Sequence, residues 1–247
     1  MTASWALLLL LCGLCSAAGD NGSSAATPSS TTLHEELIGS VVRSARWNIR
    51  RGGGNTVEEM TGDVTYERQG RYLRADSAVY DHKSGWLDAK GSILARQSLD
   101  RGETISLDGQ QGRFNMKTKL GQLTGLDPLD PVRFAFAGAT QASGTARRLR
   151  WDASAMTAVL EEDVRCSGPQ GTASADQALY NHPEGSLTLQ GRRPVLQAAL
   201  PTWSAAVQAD SIVFLKLPSL PGTHRLRTLA EGAVRGWILF PKGLKDR

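Results

Sequence analysis

The feature that most constrains the fold is a segment that occurs twice in the chain. Residues 75–91 read ADSAVYDHKSGWLDAKG, and residues 175–191 read ADQALYNHPEGSLTLQG. The positions of the first segment that recur unchanged in the second are Ala75, Asp76, Ala78, Tyr80, His82, Gly85, Leu87 and Gly91. Weaker echoes begin near Leu107 and Ala209. We therefore expect an array of related units, each shorter than the spacing between the two strong copies.

Each unit is predicted to be a β-hairpin. Apolar residues alternate with polar ones on both sides of residues 81–85 and 181–185, and side chains two apart share one face of a strand. Both short segments begin with Asp or Asn and end with Gly, which tight turns favour. Turns recur about every 10 to 15 residues, so the sequence predicts an all-β sandwich, roll or barrel. One helical turn is expected near His34 to Val42.

The expected apolar face is built mainly from Ala, Gly and aliphatic residues, because aromatic residues are only 6% of the chain. Either two sheets pack closely, or the space between them holds an elongated apolar ligand. The side chains expected to face inward, called the inward set below, are Leu73, Leu87, Ile93, Ile105, Leu107, Phe134, Phe136, Trp151, Leu187, Leu189, Val207 and Phe214.

The amino terminus has the pattern of a secretory signal. Residues 6–14 form an apolar block that is too short to span a membrane as a helix. Small residues follow at 16–18, so cleavage after Ala18 is expected. The sequence thus divides into a signal peptide at 1–18, a flexible small-residue linker at 19–32 and a folded domain at 33–247.

Cysteine usage excludes a disulfide scaffold, because the chain has only three cysteines. Leu11 and Leu14 precede Cys12 and Cys15, whereas lipid attachment needs a small residue there, so a lipid-anchored terminus is the less favoured alternative. After cleavage only Cys166 remains, and we expect it to be a buried apolar side chain.

The sequence contains no recognisable catalytic motif, so we predict a protein that is not an enzyme and needs no cofactor. His82 and His182 occupy equivalent turns, but no further ligands complete a metal site. Asp76 and Asp176 are expected to accept structural hydrogen bonds from the backbone rather than to act in catalysis.

Arginine is clustered, although the formal net charge is only +4, which does not suggest a dedicated nucleic-acid-binding protein. Guanidinium groups pair well with phosphates, so these side chains are either phosphate contacts or an ordinary solvated surface. The clustered residues are Arg43, Arg46, Arg50, Arg51, Arg147, Arg148, Arg150, Arg192 and Arg193. An apolar strand at 237–240 is either an edge for partner addition or a strand packed within its own sheet.

The repeated residues form a pattern, G-x-V…A-D-x-A-x-Y-x-x-x-x-G-x-L-x-x-x-G, that resembles the LptA/OstA family of lipopolysaccharide-export proteins. The match extends over residues 55–215. The second copy departs from the pattern at Glu162, which stands where the first copy has Gly62. The residues that carry the first match are Gly62, Val64, Ala75, Asp76, Ala78, Tyr80, Gly85, Leu87 and Gly91, and those of the second are Val164, Ala175, Asp176, Ala178, Tyr180, Gly185, Leu187 and Gly191.

This resemblance implies an open β-jellyroll of two V-shaped antiparallel sheets that works in the periplasm. It implies lipopolysaccharide as the ligand, with its acyl chains against the inward set. It also implies edge-strand stacking with an inner-membrane LptC-like protein, an outer-membrane LptD-like protein or further copies of the chain.

Two alternatives stay open. The chain could be an LptC-like component tethered to the inner membrane. It could also be a structural β-repeat protein without lipid cargo, whose inner face is filled by its own side chains.

Overall fold

The computed structural model describes residues 41–239 except 69, 99–102, 127–128, 138–140, 169–170, 201–202 and 218–224. The predicted signal peptide, the linker and the expected domain start at residue 33 therefore lie outside the described residues. Of the helical turn expected near His34 to Val42, only Val41 and Val42 are described, and both lie in a strand.

The described residues form strands and turns only. The strands are β1 (Val41–Arg43), β2 (Arg46–Gly52), β3 (Asn55–Arg68), β4 (Arg71–Asp81), β5 (Trp86–Ser98), β6 (Thr104–Asn115), β7 (Leu120–Thr124), β8 (Val132–Ala137), β9 (Ala142–Ala146), β10 (Arg148–Asp152), β11 (Thr157–Gly168), β12 (Gly171–Asn181), β13 (Ser186–Gln190), β14 (Val195–Leu200), β15 (Trp203–Gln208), β16 (Ser211–Leu217), β17 (Arg225–Glu231) and β18 (Arg235–Leu239). The all-β prediction is thus confirmed.

The strands make one continuous antiparallel sheet of 18 strands, folded into two layers. The long strands β3, β6, β11 and β12 each change their neighbour on one side between their two halves. Strands β4 and β5 lie between β3 and β6 and pair along both halves, so all six strands contribute to both layers. Layer I runs β2, β3, β4, β5, β6, β7, β10, β11, β12, β13, β16, β17. Layer II runs β1, β3, β4, β5, β6, β8, β9, β11, β12, β14, β15, β18.

Three of the long strands, β3, β5 and β11, change layer at bulges made by left-handed residues. In β3 the pairing register with β4 shifts between Thr61 and Val64, across Gly62 and Asp63, with φ of 79° and 48°. A register shift in β11 falls across Glu162 and Asp163, with φ of 63° and 53°. Two successive left-handed residues disturb the pleat, which redirects the second half of the strand.

The structure corrects the expected length of the repeating unit. The strand pairings found within β1–β8 are repeated within β9–β18. For example, β3 pairs with β1 and β2, and β11 pairs in the same way with β9 and β10. Strands β5 and β6 each correspond to two shorter strands, β13 with β14 and β15 with β16. The unit thus takes up about half the described chain rather than one hairpin. The unit is longer than one hairpin because some strands pair with a strand that is not next in the sequence, as β6 does with β8.

The buried residues lie between the two layers. One large cluster spans β4 to β16 and includes Ile105, Phe134, Leu149 and Tyr180. A small separate cluster near the amino-terminal end consists of Met60, Val64 and Ala78, with Val42 and Leu87 packed against it. The interior is therefore well packed through the centre and thinner towards the first strands.

Candidate functional site

The strand registers place inward side chains in continuous rows, because residues directly opposite each other on paired strands share one face. The main row of layer I is Trp47, Met60, Ala78, Ala89, Gly112, Leu123, Leu149, Leu160, Ala178, Leu189, Ile212 and Ala230. The main row of layer II is Val42, Tyr66, Leu73, Ala95, Leu107, Phe134, Gly144, Cys166, Ala173, Leu196, Val207 and Gly236. Both rows are apolar throughout, apart from the Tyr66 hydroxyl and the indole N–H of Trp47.

The structure places the whole inward set on the inner faces. The fully buried members are Ile93, Ile105, Leu107, Phe134, Phe136, Leu187, Leu189 and Phe214. The half-buried members are Leu73, Leu87, Trp151 and Val207. Alternation in the sequence therefore identified the correct face of every strand that it covered.

The centre of the interior is filled by the protein's own side chains. Phe134 is 2% exposed and Leu149 is 0% exposed. The Phe134 ring lies over Gly144, where an added Cβ would come within 2.2 Å of it. Trp151 covers Gly121 in the same way and stacks on Phe114, with 6.2 Å between the ring centroids. Residues without side chains thus make room for the aromatic rings that close the centre.

The two ends of the interior are open. Trp47 and Ile49 of β2 stand on the inner face opposite Met60 and Glu58, and each is 48% exposed. At the other end Ile238 of β18 lies on the inner face and is 63% exposed. Apolar inner surface therefore meets solvent at both ends of a closed centre.

The amino-terminal opening contains a carboxylate that the sequence reading missed. Glu58 lies in the row formed by Ile49, Tyr80 and Leu87. Its carboxylate accepts a hydrogen bond from Trp47 Nε1 at 3.1 Å and lies 2.6 Å from His82 Nε2. Strand alternation was the available signal, because Glu58 is two residues before the inward Met60.

Most of the clustered arginines have carboxylate partners. Arg148 and Arg150 of β10 both reach Glu161. Arg192 lies 3.4 Å from Asp176. The side chains of Arg147, Arg192 and Arg193, together with Glu162, Asp163 and Asp176, line a concavity of about 550 Å³. The three arginines and the three carboxylates of this concavity balance each other in charge. Contact of these arginines with phosphate therefore stays a prediction.

The repeated aspartate has a structural role in the second copy, as predicted. Asp176 Oδ2 accepts a hydrogen bond from the backbone N–H of Arg192 at 2.7 Å. The echo at Asp210 does the same for the N–H of Ala233 at 3.0 Å. The carboxylates of Asp76, Asp176 and Asp210 each pack on a glycine with positive φ, namely Gly91, Gly191 and Gly232 respectively. The aspartates thus fix the chain after a left-handed glycine.

The remaining titratable candidates are structural as well. His182 Nδ1 lies 3.0 Å from the hydroxyl of Tyr180. Burial raises the pKa of the Cys166 thiol to about 12, so the thiol is neutral. Within the described part of the chain, no three His, Cys, Asp or Glu side chains are grouped closely enough to hold a metal ion.

None of the described residues belongs to a helix long and apolar enough to cross a membrane. No protein-family model matches the sequence, and no curated protein matches it. Among solved structures, the chain is similar to LptH, the LptA-homologous periplasmic component of the conserved lipopolysaccharide transport device from Pseudomonas aeruginosa. The identity is 14%, the TM-score is 0.42, and the match covers 50% of this chain and 84% of that chain. A likeness at this level does not bear on what this chain binds.

Proposed function

We propose that this protein is a periplasmic lipid-binding component of lipopolysaccharide export, which holds acyl chains against the inner faces of its two layers and is not an enzyme. The observation that carries the proposal is the pair of apolar inner rows, together with the exposed inward side chains of Trp47, Ile49 and Ile238 near the two ends of the interior. The sequence resemblance to the LptA/OstA family supports the same function.

The exposed ends are the proposed sites of first contact. Burying apolar surface is worth about 25 cal/mol per Å², so an acyl chain laid over Trp47 and Ile49 gains from covering them. Passage through the centre requires the two layers to separate, because Phe134 and Phe136 fill the space between them. When the layers separate, the side chains of the inward set lose their contacts with one another and contact the acyl chains instead.

A structural β-repeat protein without cargo is the second candidate. The filled centre favours it, because the described core needs no ligand to satisfy its apolar side chains. In the first candidate lipid contacts the inner faces at the open ends, and in the second it does not. This difference can be measured directly.

The test places a photo-crosslinking amino acid at Ile49 or Leu87, on the inner face, and at Val79 as the matched control. Val79 lies on the outer face of β4, opposite Asp88, and is 38% exposed. In cells, the carrier predicts crosslinks to lipopolysaccharide from Ile49 and Leu87 and none from Val79. Labelling of protein alone from all three positions would refute lipid carriage and leave the structural candidate.

The tethered alternative is tested by the mass of the mature protein and by cell fractionation. A periplasmic carrier is expected to lack residues 1–18 and to be released with the periplasmic fraction. An intact amino terminus in the inner-membrane fraction would instead identify a tethered component.

A further inference from the structure

The inner face of the amino-terminal opening carries a polar group among its apolar side chains. Glu58 stands directly opposite Ile49 on one side and Tyr80 on the other, so its carboxylate projects from the same face as they do. Its Oε2 accepts the hydrogen bond from the indole N–H of Trp47, and its Oε1 lies beside Nε2 of His82. The side chain is 19% exposed, so a ligand that enters the opening can reach it.

The second copy of the repeated unit shows that the fold does not require this carboxylate. Ala158 stands opposite Tyr180 there, just as Glu58 stands opposite the equivalent tyrosine, and it is buried. His182 occupies the turn position of His82 but lies beside the hydroxyl of Tyr180 instead of a carboxylate. The same strands and the same turn are thus built around an alanine. Glu58 therefore needs a reason other than folding.

The hydrogen-bonding capacity of the carboxylate indicates what it can recognise. An ionised carboxylate has about four acceptor positions, and Trp47 and His82 take up two of those of Glu58. A plain hydrocarbon chain laid over Glu58 would remove the other positions from water without replacing their hydrogen bonds, which costs free energy. A ligand that brings a hydrogen-bond donor to this point avoids that cost.

We propose that Glu58 and Trp47 select acyl chains that carry a hydroxyl group close to their head group. This inference rests on the proposed lipid binding and names the class of acyl chain. A hydroxyl both donates and accepts, so it can donate to the Glu58 carboxylate and accept from the Trp47 indole N–H. An ammonium group donates only and cannot satisfy the indole. The hydroxyl lies near the head group because the opening is where the chain meets water.

The test compares two probes of equal charge and chain length, 3-hydroxytetradecanoate and tetradecanoate. Each is titrated into the purified protein by calorimetry, below the concentration at which it forms micelles. The wild type is expected to bind the hydroxylated probe about tenfold more tightly, which is the effect of one hydrogen bond to a charged group. Glu58→Ala, which introduces the residue type found at position 158, should bind the two probes equally.

The matched control is Glu59→Ala, on the next residue of the same strand. Glu59 faces outward, opposite Val79, and pairs with Arg50, so its removal should leave the tenfold preference unchanged. Glu58→Gln keeps an acceptor oxygen without the charge and should give an intermediate preference. Circular dichroism checks that each variant is folded. A purely structural role of Glu58 would weaken the binding of both probes together, whereas a hydroxyl site changes the ratio of their affinities.

Equal affinity of the wild type for the two probes would overturn the proposal, as would no binding of either probe or a preference that survives in a folded Glu58→Ala variant. Tighter binding of dodecylamine than of 3-hydroxytetradecanoate, lost in Glu58→Ala, would identify a site for cations and also overturn it. These results leave the crosslinking of lipopolysaccharide at Ile49 and Leu87 as a separate measurement, so the failure of chain selection and the failure of lipid carriage are distinguishable.

Discussion

The two copies of the repeated unit share one pattern of strand pairing but have different interiors. In the first copy, β1–β8, Trp47 is half exposed and Glu58 lies beside it on the inner face. In the second copy, β9–β18, the equivalent positions are Leu149 and Ala158, both buried. The reason is their place in the sheet: β10 pairs with β7 as well as β11, whereas β2 pairs with β3 alone among the described strands. The pairing pattern therefore sets the face of each residue, and the position along the sheet sets how deeply that residue is buried.

The bulges make a second comparison. In the first copy the N–H of Ala45 donates to the carbonyl of Gly62 at 2.8 Å, and in the second the N–H of Arg147 donates to that of Glu162 at 3.0 Å. An added Cβ at Gly62 would lie 2.7 Å from the Ala45 Cβ. Glu162 has a side chain in the same conformation and lies near the guanidinium of Arg147 at 3.8 Å. The same backbone geometry thus carries a side chain in the second copy and a glycine in the first.

The largest expected effect separates the two interiors. Leu149→Ala should lower the free energy of unfolding by about 3 kcal/mol, because it removes a fully buried side chain and leaves a cavity. The equivalent Trp47→Ala should cost only about 1 kcal/mol, since half of that ring is already in water. Urea unfolding of both variants measures the difference. Equal losses would show that the first copy is as tightly packed as the second.

The next effect concerns the bulge of the first copy. Gly62→Glu should destabilise the protein by about 2 kcal/mol, because a left-handed conformation costs a residue with a side chain about 1 to 2 kcal/mol and the new Cβ crowds Ala45. Thermal or urea unfolding checks this. An unchanged midpoint would mean that the two bulges tolerate side chains equally.

The reverse exchange should have a smaller effect of opposite sign. Glu162→Gly removes a left-handed side chain, which should stabilise the protein, but it also removes exposed ion pairs with Arg147 and Arg148. We expect a net gain of less than about 1 kcal/mol. Glu162→Ala serves as the control, since it removes the ion pairs but keeps the strain, and should therefore be the least stable of the three proteins.

The smallest effect distinguishes the two turns by pH. The backbone N–H of Ser84 and the side chain of Asn55 donate to Asp81 and lower its pKa, whereas the equivalent residue in the second copy is the neutral Asn181. A lowered pKa contributes stability above about pH 4 that is lost as the pH falls through the folded value. Asp81→Asn should therefore reduce the drop in melting temperature between pH 6 and pH 3. A drop identical to that of the wild type would show that Asp81 does not contribute.

Much of this architecture is predictable from the sequence, since alternation identified the inner faces and the repeat identified the turns at 81–85 and 181–185. The division of each long strand between two layers was not predictable from the sequence. The bulge in β11 is made by Glu162 and Asp163, so no glycine marks its position. The length of the repeating unit was missed for a related reason. Pairings such as β6 with β8 skip a strand and leave no trace in local sequence.

The candidate site was predicted in part. The motif behind the family resemblance consists largely of residues with structural roles, such as the buried Ala75 and Ala78 and the left-handed Gly85 and Gly91. It therefore predicts the fold better than the ligand. The closure of the centre by Phe134 depends on Gly144 of another strand, and the exposure of Trp47 depends on β2 having β3 as its one partner among the described strands. Both the closure of the centre and the exposure of Trp47 depend on residues distant in the sequence, so neither can be predicted from a local segment.

The strands that pass from one layer into the other have a further consequence. Because both layers share the same continuous strands, an opening of the layers that turned on the bulges would leave the ladder hydrogen bonds on either side of the bulges in place. Amide hydrogen exchange would then register little change between a closed and an open form, since it reports on broken backbone hydrogen bonds. Only probes of side-chain contact, such as the environment of the Trp151 ring, would detect the opening.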